Sequence, residues 1–109
     1  SITNYSGQPT RRIDIIASCS YEDDLKKVKE VLKTILDNEK RILPEPKPQI
    51  AVSELADSSV NFIVRPWVNS SEYLPVKYSL LEEIKNTFDR EGISIPYPQT
   101  DIHIHEKKA

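Results

Sequence analysis

Spacing between apolar residues switches from every second position to every third or fourth and back again, twice, along this 109-residue chain. In Arg12-Ile13-Asp14-Ile15-Ile16-Ala17-Ser18, the side chains of Ile13, Ile15 and Ala17 share one face and those of Arg12, Asp14, Ile16 and Ser18 the other, which predicts a first strand. Leu25, Val28, Val31, Leu32, Ile35 and Leu36 then fall within an arc of roughly 140° if each residue turns the chain by about 100°. That arc predicts an amphipathic helix. It should begin near Tyr21, because Ser20 and Asp23 have the spacing of a capping box. Glu22, Asp23 and Asp24 are accounted for by the positive end of the helix dipole and need no catalytic role. Lys26, Lys27, Lys29, Glu30 and Lys33 make the solvated face.

Pro44, Pro46 and Pro48 cannot continue a helix, since each lacks a donor and biases the residue before it toward extended geometry. Beyond this stiff connection, residues 49–55 and 60–65 read as two strands joined by a short polar turn, an antiparallel hairpin. Val60, Phe62 and Val64 share one face of the second strand, and Phe62 is a core candidate. Pro66 denies that strand a donor, so it must be an edge there or bend out of its sheet. Pro75 suits an early helix position, and Val76, Leu80, Leu81, Ile84 and Phe88 sweep a second arc of roughly 140° that Gly92 can end in a left-handed conformation. A short strand at 93–95, an interruption at Pro96-Tyr97-Pro98 and an alternating segment at 100–105 complete the chain. The order strand, helix, strand, strand, helix, strand is that of an α+β, ferredoxin-like βαββαβ sandwich with both helices on one sheet face.

Charge narrows the function classes. Fifteen Lys and Arg nearly cancel seventeen Asp and Glu, so no summed field draws the chain to nucleic acid or an anionic bilayer. Two glycines cannot make a phosphate-binding loop, and the aromatic residues Phe62, Trp67, Tyr73 and Tyr97 lack the arrangement of a base-stacking sheet. No cofactor is expected. The single cysteine, Cys19, fits a reducing compartment and reads as a buried small hydrophobe rather than a nucleophile. Apolar runs of three or four residues are too short to span a bilayer, and the polar residues 1–6 carry no signal core. This chain is therefore not expected to insert into a membrane by itself.

Two groups of residues remain as candidates. Asp101, His103 and His105 project to one side of an alternating strand, with Ile102 and Ile104 on the other. A His-x-His pair can chelate zinc from that geometry, but the chain offers no further histidine, and a polar outer face explains the pair equally. Arg65 and Trp67 flank Pro66, and could form a cation–π contact or an interface anchor, or Trp67 could cap the rim of its own core.

Five segments in order resemble the cytoplasmic end of the small-conductance mechanosensitive channel family. They are Ser20-Tyr21 with Asp24, then Arg41-Ile42-Leu43, then Leu55-Ala56-Asp57-Ser58-Ser59-Val60-Asn61-Phe62, then Arg65 and Trp67 with Asn69-Ser70, and finally Gly92-Ile93-Ser94-Ile95-Pro96-Tyr97-Pro98-Gln99. Ile2-Thr3-Asn4-Tyr5-Ser6 looks like the family's exit from its middle β domain. The resemblance implies a linker at 1–11, a ferredoxin-like domain at 12–98 and a barrel strand with tail at 99–109. It implies a non-enzymatic part of a bacterial inner-membrane channel that opens under tension, in which seven copies enclose a solute-filtering vestibule on the cytoplasmic side. Asp101, Ile102, His103, Ile104 and His105 would form one stave of a closing barrel, and Arg65 with Trp67 an interface or portal wall. The pore helices are missing from the chain. The strand's exposed edge agrees on physical grounds, since an unpaired ladder seeks another chain. The alternative is a stand-alone ligand- or metal-binding regulatory domain of the same fold, with His103 and His105 as ligands.

Overall fold

A computed structural model describes residues 9–96. Its strands are β1 (Thr10–Arg12), β2 (Ile15–Cys19), β3 (Gln49–Leu55), β4 (Val60–Arg65) and β5 (Trp67–Asn69). Its helices are α1 (Leu25–Asn38) and α2 (Tyr73–Glu91), the latter entered through a 3₁₀ turn at Ser70–Glu72. The architecture is α+β, as the alternation of spacings predicts.

Three antiparallel strands form the main sheet in the order β2-β4-β3, with Ala17 opposite Phe62 and Phe62 opposite Val52. Ile13, Ile15, Ala17 and Cys19 are buried beside Val60, Phe62 and Val64, and both helices press onto that face. α1 contributes Val28, Leu32, Ile35 and Leu36, and α2 contributes Val76, Leu80, Ile84 and Phe88. The period-two and period-3.6 stripes therefore meet in one core. Two residues of the expected arcs stay outside it: Leu25, the first residue of α1, and Leu81, at the margin of its arc, are exposed.

Pro66 bends the strand out of the sheet. β4 ends at Arg65 and β5, beginning at Trp67, pairs with β1 in a second, two-stranded sheet. The first strand is broken at the same level, so the expected single strand at 12–18 is two. Ile13 N–H donates to the Pro66 carbonyl at 2.8 Å, tying the two bends together. β1 pairs antiparallel with β5, Thr10 opposite Asn69 and Arg12 opposite Trp67. After α1, Ile42 bridges Val68, and Leu43 N–H donates to the Trp67 carbonyl at 2.8 Å before the prolines carry the chain to β3.

The helix starts four residues later than its capping signal suggests. Ser20 and Asp23 do bond reciprocally: Asp23 N–H donates to the Ser20 carbonyl at 3.1 Å, and Ser20 N–H to Asp23 Oδ2 at 2.9 Å. They close a turn ahead of the helix, and the N-cap is Asp24, whose carboxylate accepts from Lys26 N–H at 3.0 Å. At the other end of the fold, Gly92 takes φ +73°, with Gly92 N–H reaching the Asp89 carbonyl and Ile93 N–H the Phe88 carbonyl. No strand is assigned at 93–95, although Ile93 is buried.

Candidate functional site

Strand alternation gives the sheet a second face that no described residue covers, and register assembles it into three cross-strand rows. The middle row is apolar: Ile16 stands opposite Ile63, and Ile63 opposite Ala51. Ile16 is 56% exposed. One flanking row is a hydrogen-bonded network centred on Asn61. Ser18 Oγ and Ser59 Oγ donate to its Oδ1 at 2.7 and 2.9 Å, and its Nδ2 donates to Glu54 Oε1 at 3.0 Å. A β-bulge between Val52 and Glu54 brings Glu54 opposite Asn61.

The other flanking row is charged. Arg12 grips Asp14 with two bonds, Nε to Oδ1 at 2.7 Å and Nη2 to Oδ2 at 3.2 Å. Arg65 approaches the same carboxylate from β4, its Nε 3.5 Å from Oδ1, an ion-pair distance without hydrogen-bond geometry. Its Nη1 donates to Gln49 Oε1 at 3.4 Å. Two guanidiniums share one carboxylate, so this row keeps a net positive charge. Nothing in the spacing of Arg65 and Trp67 announces Asp14 as the partner of Arg65; only the register does. Of the alternatives open to Arg65 and Trp67, the cation–π contact is not formed: Arg65 lies on β4 and Trp67 on β5, in different sheets. Tyr73 instead receives Arg11, 3.6 Å from its ring centre, and Lys77 at 5.7 Å. Trp67 is half-buried on β5, opposite Arg12.

A third surface lies on α2. Leu74, Tyr78 and Leu81 are spaced i, i+4, i+7 and are 50%, 60% and 44% exposed, an apolar stripe beside the core-facing one. Sequence periodicity merges the two stripes, because nothing in it tells a covered apolar residue from an uncovered one.

The root of the C-terminal tail is anchored to the start of α1. Asp23 Oδ2 accepts from Ser94 N–H at 3.3 Å as well as from Ser20 N–H, and Lys27 Nζ donates to the Glu91 carbonyl at 3.0 Å. Tyr21 Oη donates to the Ala56 carbonyl, joining that corner to the hairpin turn. Pro96 lines an open groove of 490 Å³ with Leu55 and Asp57. Asp101, Ile102, His103, Ile104 and His105 lie outside the described residues.

Reactive chemistry finds little support. Burial, and then the Asp23 carboxylate, push the Cys19 thiol above its ordinary pKa, opposite to what an activated nucleophile needs. A groove of 820 Å³ between the helices holds the chain Arg90 Nη2 to Thr87 Oγ1 to Glu83 Oε2, at 3.3 and 3.1 Å. These are neighbours one helical turn apart, the ordinary pairing of a helix surface. Among the described residues no cluster of three His, Cys, Asp or Glu could hold a metal, and the histidines of the metal-binding alternative, His103 and His105, lie beyond them. No helix among these residues is long and apolar enough to cross a membrane.

Both the sequence and the fold have counterparts among known proteins. The family model described as "Mechanosensitive ion channel MscS, C-terminal" matches residues 13–95. The chain belongs to the MscS family. An uncharacterized MscS family protein of Synechocystis is 47% identical over 104 residues, 95% of this chain and 35% of that protein. The small-conductance mechanosensitive channel of Edwardsiella ictaluri is 40% identical over 106 residues, 97% of this chain and 37% of its own. The crystal structure of Helicobacter pylori MscS in its closed state superposes with a TM-score of 0.83 at 28% identity, covering 91% of this chain and 40% of that one. The chain thus spans little more than a third of the MscS relatives it matches, and corresponds to their C-terminal part. The MscS family is one of channels, not enzymes.

Proposed function

We propose that this chain is the cytoplasmic wall of a tension-gated channel of the bacterial inner membrane, with a linker at 1–11, the folded domain at 12–98 and a barrel-forming tail at 99–109. Seven copies enclose a vestibule that filters solutes on their way to a pore opened in osmotic downshock. Asp101, Ile102, His103, Ile104 and His105 supply one stave of the closing barrel, and Arg65 with Trp67 belongs to the wall. The observation carrying this reading is the match of the family's C-terminal model to residues 13–95.

Physical chemistry supports an assembling role over a catalytic one. The open sheet face offers an apolar row between two polar rows, a composition suited to a partner protein, and the described residues lack an activated nucleophile. The tail root is held by Asp23 and Lys27, so each copy launches its tail from a defined corner. A closed ring of strands would remove the tail's edges.

The test uses the complete polypeptide that carries this chain, expressed in bacteria lacking their own tension-gated channels. The expected results are survival of hypo-osmotic shock, single-channel openings under suction, and a detergent-solubilised mass of seven copies. Deleting residues 99–106 should lower the yield of that assembly. A deletion variant that assembles in full yield would remove the barrel, and a polypeptide without tension-dependent current would remove the channel reading.

A further inference from the structure

We infer that the α2 stripe of one copy seats along the apolar row of the open sheet face of the next. The inference rests on the assembly proposed above and names the surfaces it uses. Ile16, Ile63 and Ala51 make a row crossing three strands, about 10 Å long from two strand spacings. Leu74, Tyr78 and Leu81 span seven residues of helix, also about 10 Å. The two apolar surfaces, which no described residue covers, are therefore matched in length.

Charge decides the direction in which they meet. Beside the apolar row lies Arg12 with Arg65, net positive around Asp14, on one side, and Glu54 on the other. Beside the stripe lie Glu82 and Lys77, each about 70° round the helix but on opposite flanks. Glu82 has no ion pair among the described residues, and the described contact of Lys77 is the Tyr73 ring. Of the two directions α2 can take along the row, one brings Glu82 to the arginines and Lys77 to Glu54 at once. The opposite direction sets like charges together on both sides, a mismatch that disfavours it. Stripe and row belong to different surfaces of one domain, so the contact is head-to-tail and each copy keeps one surface for either neighbour. Such contacts propagate until the rotation closes a ring.

Disulfide trapping in the complete polypeptide tests this. Ile63→Cys and Tyr78→Cys are made singly and together, oxidised in the membrane and resolved on non-reducing gels, with the buried Cys19 as the background thiol. The double variant should give a ladder of covalent oligomers, and each single variant less than a tenth of that product. Glu82→Arg in the double variant should cut the ladder at least tenfold, and adding Arg12→Glu should restore it to within twofold. This reciprocal rescue is out of reach of a variant that merely misfolds.

Strong crosslinking of either single variant would mean that like faces meet, and would overturn the head-to-tail pairing. A full-mass assembly with no ladder overturns these surfaces, whether another protein or the chain's own residues 1–8 or 97–109 cover them, and leaves the assembly reading intact. A monomer under every condition removes the assembly reading, and this inference with it.

Discussion

β4 presents two faces built by alternating residues of one hexapeptide, and they behave as different materials. Val60, Phe62 and Val64 are sealed beneath two helices, whereas Asn61, Ile63 and Arg65 meet solvent on a sheet face that no described residue covers. The first face draws its energy from area removed from water and contacts made in a dense interior. The second holds its polar groups by hydrogen bonds and an ion pair, interactions that water competes for, and it leaves Ile16 and Ile63 for something outside the domain. A strand can therefore anchor a fold and offer a surface at the same time, provided its register is held.

The contrast can be broken by substitution. Phe62→Ala should cost about 3–5 kcal/mol, enough to threaten the fold of a domain this size, read as the urea midpoint of the purified chain. A loss below about 1 kcal/mol would mean that the helices do not seal that face. Asp24→Ala tests the seal from the helix side: loss of the N-cap should lower stability by about 1 kcal/mol with the denaturant slope unchanged. On the open face, Asn61→Ala leaves the Ser18 and Ser59 hydroxyls and Glu54 to water, and the same measurement should register about 0.5–1.5 kcal/mol.

Acid sharpens the comparison further. Arg41 donates to both oxygens of Glu39, at 2.8 and 3.1 Å, and this holds the Glu39 carboxyl below its ordinary pKa of 4.5. A depressed folded-state pKa adds stability that is present above the ordinary value and lost as pH falls through the folded one. The advantage of the wild-type chain over Glu39→Gln should accordingly shrink below pH 4.5, and a difference independent of pH would show that the pair adds nothing through ionisation. The smallest effect belongs to the uncovered row. Ile16→Thr keeps the branched β-carbon and should change the stability of the lone chain by less than about 0.5 kcal/mol. In the complete polypeptide it should still weaken crosslinking between copies, which separates folding from assembly on a single strand.

Much of this was legible in the chain itself. The alternation at 12–18 names the residues of both faces correctly, and Pro66 leaves its strand two choices, an edge or a bend out of the sheet, between which the central place of β4 decides. Gly92 ends α2 where a left-handed residue is needed, and the stripe over 25–36 specifies what α1 buries. Other features were not legible. The start of α1 moved to Leu25 because Ser20 and Asp23 cap a turn, and the same pair of residues can close either structure. Asp14 became the shared partner of Arg12 and Arg65 only when β2 and β4 were set in register.

What the sequence determined by itself is periodicity, breakers and family, since each depends on residues near one another along the chain or on motifs in fixed order. Tertiary structure alone decided which apolar residues are covered. Leu80 and Leu81 are adjacent, equally apolar and part of one helical arc, yet one is buried and the other exposed. Burial depends on what stands across the gap, and that neighbour comes from a distant part of the chain or from another molecule.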